Sequence, residues 1–105
     1  MSTRCNIRVI DGSENELWFY RHSDGYPSSV LPSLEPLMER LELGHVRDNI
    51  GQFAGWIILL GHIEYGSKDN SWKVGAYEPT TTQHGDIEYL YTIDLGAKTL
   101  THRGV

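Results

Sequence analysis

Residues 4–10 read Arg-Cys-Asn-Ile-Arg-Val-Ile, and the alternation in this stretch decides how the fold is built. Cys5, Ile7 and Val9 share one side of the extended chain, and the polar or charged residues between them share the other. A period of two with β-branched residues predicts a strand that is buried on one side only. The rest of the fold must therefore cover this one side.

A β-hairpin follows from the next segments. Residues 11–15 combine Asp, Gly, Ser and Asn, which are typical of a tight turn. A second strand is predicted at Leu17–His22, and the residues from Ser23 to Pro27 end it.

Apolar residues at helical spacing predict two helices after the hairpin. Ser33 is the expected N-cap of the first helix, which places Pro36 in its first turn and Gly44 just beyond its end. Asp48 or Asn49 is expected to cap the second helix, which runs to about residue 60. A buried strand at 56–60 stays open as an alternative because short apolar runs are ambiguous.

The remaining sequence predicts three strands. They are expected at Trp72–Glu78, Ile87–Ile93 and Thr99–His102, with a polar loop over residues 79–86. The order is ββααβββ. We therefore predict an α+β fold in one domain spanning residues 1–105, with an antiparallel sheet of about five strands and two helices packed on one face.

Composition narrows the classes of function. The chain has 105 residues and a formal net charge of −5. An acidic chain disfavours direct binding of nucleic acid through its phosphates. Cys5 is the only cysteine, which excludes an internal disulfide and favours a reducing compartment. The longest apolar run, residues 56–60, is too short to span a bilayer, so we expect a cytoplasmic protein with no membrane partner.

The segment from Tyr20 to Pro27 concentrates functional groups at the end of a strand, where binding loops often lie. A rigid turn, in which the Asp24 side chain bonds nearby backbone N–H groups, is the structural alternative. Arginines next to aromatic rings could hold a phosphate and stack a base. The structural alternative is an exposed sheet face on which Arg stems cover the rings. The predicted ligand- or partner-binding residues are Arg4, Arg8, Tyr20, His22, Asp24 and Tyr26.

Two His-x-Asp triplets, His22-Ser23-Asp24 and His84-Gly85-Asp86, offer imidazoles and carboxylates that could hold a divalent metal if their loops met. The spacing is not diagnostic, and no metal or other cofactor is predicted. The sequence also has no Walker loop, dinucleotide fingerprint, His-Glu-x-x-His or Gly-x-Ser-x-Gly. We therefore expect a non-catalytic protein.

The opening of the chain resembles a group of small uncharacterised proteins of bacteriophages and prophages. The resemblance rests on Thr3-Arg4, Ile7, Val9, Tyr20 and Asp24-Gly25-Tyr26-Pro27. It covers about the first quarter of the chain and brings no established activity. In that group a tryptophan often precedes the Asp, whereas this chain has Ser23.

The residues and the resemblance to phage proteins together lead to three hypotheses for the function. The leading one is an anti-CRISPR-like accessory protein that binds and inhibits a host defence protein or complex in the bacterial cytoplasm. Glu35, Glu39 and Glu42 of the first helix are its candidate contacts. The alternatives are a sponge that sequesters a nucleotide second messenger and a small metal-dependent hydrolase. An exposed sheet edge could also form a homodimer.

Overall fold

In the part of the chain that the structure describes, five strands and two helices follow one another in the predicted order ββααβββ. The computed structural model describes residues 3–66 and 77–105. Its elements are β1 (Cys5–Ile10), β2 (Glu16–Arg21), α1 (Pro27–Glu42), α2 (Ile50–Gly66), β3 (Glu78–Thr80), β4 (Tyr89–Asp94) and β5 (Thr99–Gly104). The predicted α+β class is confirmed.

The strands form one mixed sheet in the order β3-β2-β1-β4-β5. Neighbouring strands are antiparallel except for β1 and β4, which run parallel with Cys5 opposite Tyr89 and Val9 opposite Ile93. Parallel neighbours need a long connection, and both helices lie in the chain between these two strands. The sequence predicts an antiparallel sheet, and the described sheet differs from that prediction only in the parallel pair β1 and β4.

The core lies between the helices and one face of the sheet. Cys5, Ile7 and Val9 are fully buried there, as their alternation predicts. β2 and β4 add Phe19, Tyr91 and Ile93 to the same face, and the helices cover them with Val30, Leu34, Leu37, Leu41, Phe53 and Ile57. The opposite face carries no helix from the described part of the chain, and we call it the open face.

Helix α1 begins earlier than the sequence predicts. Its N-cap is Tyr26 and its first residue is Pro27, whereas Ser33 lies inside the helix. A proline at the first helical position costs nothing, because that N–H has no partner within the helix. The Ser33 hydroxyl instead donates to the backbone carbonyl of Val30 at 2.8 Å. The sequence does not predict this earlier start of α1 because prolines at 32 and 36 lie inside the helix, and interior prolines normally argue against a helix.

Residues 56–60 belong to helix α2, so the alternative prediction of a buried strand there is wrong. The Asn49 side-chain oxygen accepts a hydrogen bond from the Gln52 backbone N–H at 3.1 Å, so Asn49 rather than Asp48 caps the helix. The helix continues through Gly61 to Gly66. Most of the strand predicted at Trp72–Glu78 lies outside the described residues, and β3 occupies part of the predicted loop.

A buried arginine anchors the end of β2. Arg21 is 1% exposed and lies opposite Cys5, on the helix side of the sheet. It donates through Nε to the Ser23 carbonyl at 2.9 Å and through Nη1 to the Tyr77 hydroxyl at 2.8 Å. That hydroxyl is also 3.0 Å from the Ser33 hydroxyl. Through Tyr77, Arg21 therefore links the end of β2 to Ser33 of α1 and to the residue that precedes β3.

Candidate functional site

Most of the predicted binding residues lie on or beside the open face. Arg8 pairs across the strands with Trp18, and Asn6 pairs with Tyr20. Arg4 directly precedes β1, and His22 directly follows β2. The placement on one face follows from the period of two, as the sequence predicts.

Tyr20 is the centre of a polar group that we call the tyrosine cluster: Arg4, Tyr20, His22, His84 and Asp86. The Tyr20 hydroxyl donates to Asp86 Oδ2 at 3.3 Å and lies 3.2 Å from His22 Nδ1. Arg4 Nε is 3.4 Å from that same Asp86 oxygen and 3.4 Å from His22 Nδ1. Burial and the nearby charge of Asp86 raise the pKa of Tyr20, so its hydroxyl keeps its proton.

His84 stacks on the Tyr20 ring, with 4.1 Å between ring centroids. Its backbone N–H donates to Asn6 Oδ1 at 2.7 Å, and Asn6 Nδ2 donates to the Phe19 carbonyl at 2.9 Å. Asn6 is fully buried although it belongs to the polar side of β1. The loop that carries His84 therefore covers part of the open face, and a buried amide fixes it there.

A second pair of opposite charges lies farther along the open face. Arg8 Nε donates to Glu16 Oε2 at 2.8 Å, and the Arg8 guanidinium lies 5.6 Å from the Trp18 ring centroid. The hydrogen bond from Arg8 lowers the pKa of Glu16. Both predicted arginines of the open face thus already have carboxylate partners within the chain.

The two His-x-Asp triplets approach each other but do not assemble a metal site. His22 and Asp86 meet at the Tyr20 hydroxyl, whereas His84 stacks on the ring of that tyrosine. The Asp24 carboxylate accepts a bond from the Tyr26 hydroxyl at 3.4 Å. Within residues 3–66 and 77–105, no group of three or more His, Cys, Asp or Glu side chains is arranged to hold a metal ion.

The Asp24–Pro27 segment forms a tight structural turn. Asp24 has a φ of 56°, in the left-handed region that Asp tolerates better than most residues. The Gly25 N–H donates to the Thr3 carbonyl at 2.9 Å, and the Gly25 carbonyl accepts from the Tyr91 hydroxyl at 2.8 Å. These contacts join the turn to the start of β1 and to β4, which favours the rigid-turn interpretation of this segment.

A surface groove lies on the other side of the sheet, between α1 and β5. Its volume is about 380 Å³. It is lined by Leu31, Glu35, Met38, Glu39 and Glu42 of α1, and by Lys98, Leu100 and His102. We call it the acidic groove. The sequence predicts its three glutamates as candidate contacts, but the groove itself depends on β5 packing beside α1.

The acidic groove has an apolar floor and a charged rim. Leu31, Met38 and Leu100 are partly buried and pack against the core. The three glutamates are exposed, and none forms an ion pair with any residue that the structure describes. Among the described lining residues, three carboxylates face one ammonium group, that of Lys98, so the groove attracts cations.

Apolar side chains are also exposed on α2. Trp56 is 41% exposed and Leu59 is 46% exposed. Trp56 also lines a second groove of about 320 Å³, together with Pro36, Leu37, Arg40, His45, Val46 and Leu60. Among the side chains that the structure describes, this surface carries no row of like charges.

Comparisons with models of known protein families, with curated proteins and with solved structures found no match. The likeness of residues 3–27 to phage and prophage proteins therefore stays a prediction. In the part of the chain that the structure describes, no helix has the length and apolar character needed to cross a membrane.

Proposed function

We propose that this protein is a non-catalytic phage or prophage accessory protein. It binds and inhibits a component of host defence in the bacterial cytoplasm, as anti-CRISPR proteins do. One observation carries the proposal: a row of glutamates without partners among the described residues, on the rim of a groove with an apolar floor. Glu35, Glu39 and Glu42 present this row to a basic surface of the target.

The arrangement suits binding for two reasons. Carboxylates without an ion-pair partner among the described residues speed the encounter with a basic surface and orient the partner. The apolar floor then adds contact area that excludes water, which ion pairs at a surface do not supply by themselves. A target that binds nucleic acid through a basic surface has the matching charge.

The nucleotide sponge has weaker support. A bound phosphate would need Arg4 and Arg8, which already pair with Asp86 and Glu16. Displacing these carboxylates offsets part of the gain from binding the phosphate. Trp18 and the tyrosine cluster still offer rings for base stacking, so the alternative is included as an outcome of the test below.

The test compares two variants in bacteria that carry an active defence system. E35Q/E39Q/E42Q removes the three charges of the acidic groove. The matched control E14Q/D48N/E88Q removes three exposed charges elsewhere and changes the net charge equally. Phage plating efficiency is measured, and the tagged proteins are purified from the same cells.

We expect the unaltered protein and the control to restore phage plating and to retain one host protein, and the groove variant to do neither. Equal loss in both triple variants would show that only net charge matters. Loss in Trp56→Ala but not in the groove variant would place the contact on α2. A retained nucleotide without a protein partner would replace the inhibitor proposal by the sponge.

A further inference from the structure

We infer that the acidic groove binds an extended basic segment of the partner, which adds to the sheet as a strand beside β5. This inference rests on the proposed function, and it specifies the conformation and charge of the partner segment that binds. Its basis is that a sheet edge and the acidic groove share one element, since Leu100 and His102 of β5 line the groove.

Among the described residues, β5 has a strand on one side only, and it is the edge of the sheet that suits strand addition. It has six residues, Thr99–Gly104, without a proline, and residues 101–104 are all exposed. The opposite edge, β3, has three residues and contains Pro79, which has no N–H to donate. An edge strand presents N–H and C=O groups that a new strand can pair with, and short or proline-containing edges resist this.

The side chains around the groove select basic residues at alternate positions of the added strand. Such residues point toward α1, the same side of the sheet as Leu100. The aliphatic stem of a lysine or arginine can cover the floor formed by Leu31 and Met38, while its charged head reaches a carboxylate on the rim. An acidic or short side chain at these positions loses both contacts.

The spacing of the glutamates fits the repeat of a strand. Glu35 and Glu39 are four residues apart on α1, which is about 6 Å along the helix axis. Alternate residues of a strand are about 6.7 Å apart. Two successive basic side chains of the added strand can therefore reach Glu35 and Glu39, and Glu42 lies three residues, or about 4.5 Å, farther along the helix axis.

The probe is a synthetic peptide of alternating lysine and threonine with blocked ends, about eight residues long, which spans a strand of ordinary length. Binding to the full chain is measured by titration, and the backbone amides of β5 are followed by NMR. We expect saturable binding that shifts the amide signals of Thr99–Gly104 and slows their hydrogen exchange. E35Q/E39Q/E42Q should weaken binding about tenfold, and E14Q/D48N/E88Q should leave it within about twofold.

Backbone methylation separates strand addition from simple charge attraction. One peptide carries N-methyl groups at every lysine and a second carries them at every threonine. Only one of the two sets of amides can face β5, so one methylated peptide should lose binding and the other keep it. Equal binding of both, or an unchanged β5 spectrum, would overturn the inference. So would a dimer that pairs β5 with β5, detected by sedimentation.

The two proposals fail in different ways. If plating depends on the groove glutamates but the lysine peptide does not protect β5, the inhibitor proposal stands and the strand-addition inference is wrong. If the peptide binds as expected but the protein leaves every tested defence system unaffected, the surface is a peptide site and the inhibitor proposal is wrong.

Discussion

Gly25 shows at the scale of one residue why the Asp-Gly-Tyr-Pro segment needs glycine. A β-carbon at this position would lie 2.9 Å from the Cys5 backbone nitrogen and 2.9 Å from the Thr3 carbonyl oxygen. Both are backbone atoms of the β1 region, so neither can move aside cheaply. The glycine is therefore explained by close packing, without a ligand.

We predict that Gly25→Ala lowers the free energy of unfolding by about 1–3 kcal/mol, as overpacking of a well-filled site does. Gly55→Ala is the matched control, because a β-carbon there meets nothing within 4 Å. On the solvent side of α2 the added methyl should stabilise by about 0.5–1 kcal/mol. Urea unfolding followed by tryptophan fluorescence measures both, and a neutral Gly25→Ala would refute the packing explanation.

Cys5 is a buried apolar side chain rather than a reactive thiol. It is fully buried, and this burial raises the pKa of its thiol to about 12. At pH 8 we therefore expect a disulfide reagent such as dithionitrobenzoate to leave the folded protein unlabelled and to label one thiol after unfolding in urea. Rapid labelling of the folded chain would contradict the described burial.

At the scale of elements, helix α2 shows how one capping side chain sets a helix boundary. Asn49 accepts a bond from the Gln52 N–H, and this bond starts α2. We predict that Asn49→Ala lowers the free energy of unfolding by about 0.5–2 kcal/mol, whereas Asp48→Ala changes it by less than about 0.5 kcal/mol. Chemical denaturation of the two variants compares them directly, and the reverse order would assign the cap to Asp48.

At the scale of the whole molecule, buried protonated groups limit stability at alkaline pH. Burial raises the pKa of Cys5 and of Tyr91, so the folded chain keeps protons that the unfolded chain loses. For groups with a raised pKa, the stabilisation is complete below the unfolded pKa and falls as pH rises above it. The loss due to Cys5 begins near pH 9, and that due to Tyr91 begins near pH 10.

We therefore predict that the free energy of unfolding falls between pH 9 and pH 11, with a limiting slope of about 1.4 kcal/mol per pH unit for each group. Cys5→Ala removes one of these groups, so its stability should decline less steeply over the same interval, although it starts lower at pH 7 because of the lost packing. Urea titrations at several pH values measure the slopes. Parallel curves for the two proteins would count against the assignment to Cys5.

The sequence by itself determined the order of the elements and the buried face of β1, although it misplaced the start of α1 and the bounds of β3. The alternation at Cys5, Ile7 and Val9 predicted the core face of β1, and helical spacing predicted α1 and α2. These signals are local, because side-chain direction in a strand or helix follows from its own backbone period. The same reasoning placed Arg8 and Tyr20 together on the open face.

The tertiary structure alone decided which distant segments meet. Tyr20 and Asp86 are 66 positions apart, yet they share a hydrogen bond. The parallel pairing of β1 with β4, the burial of Asn6 and Arg21, and the groove between α1 and β5 likewise depend on packing between remote parts of the chain. No local period encodes such contacts, because they form only when the helices pack on one face of the sheet and bring remote segments together.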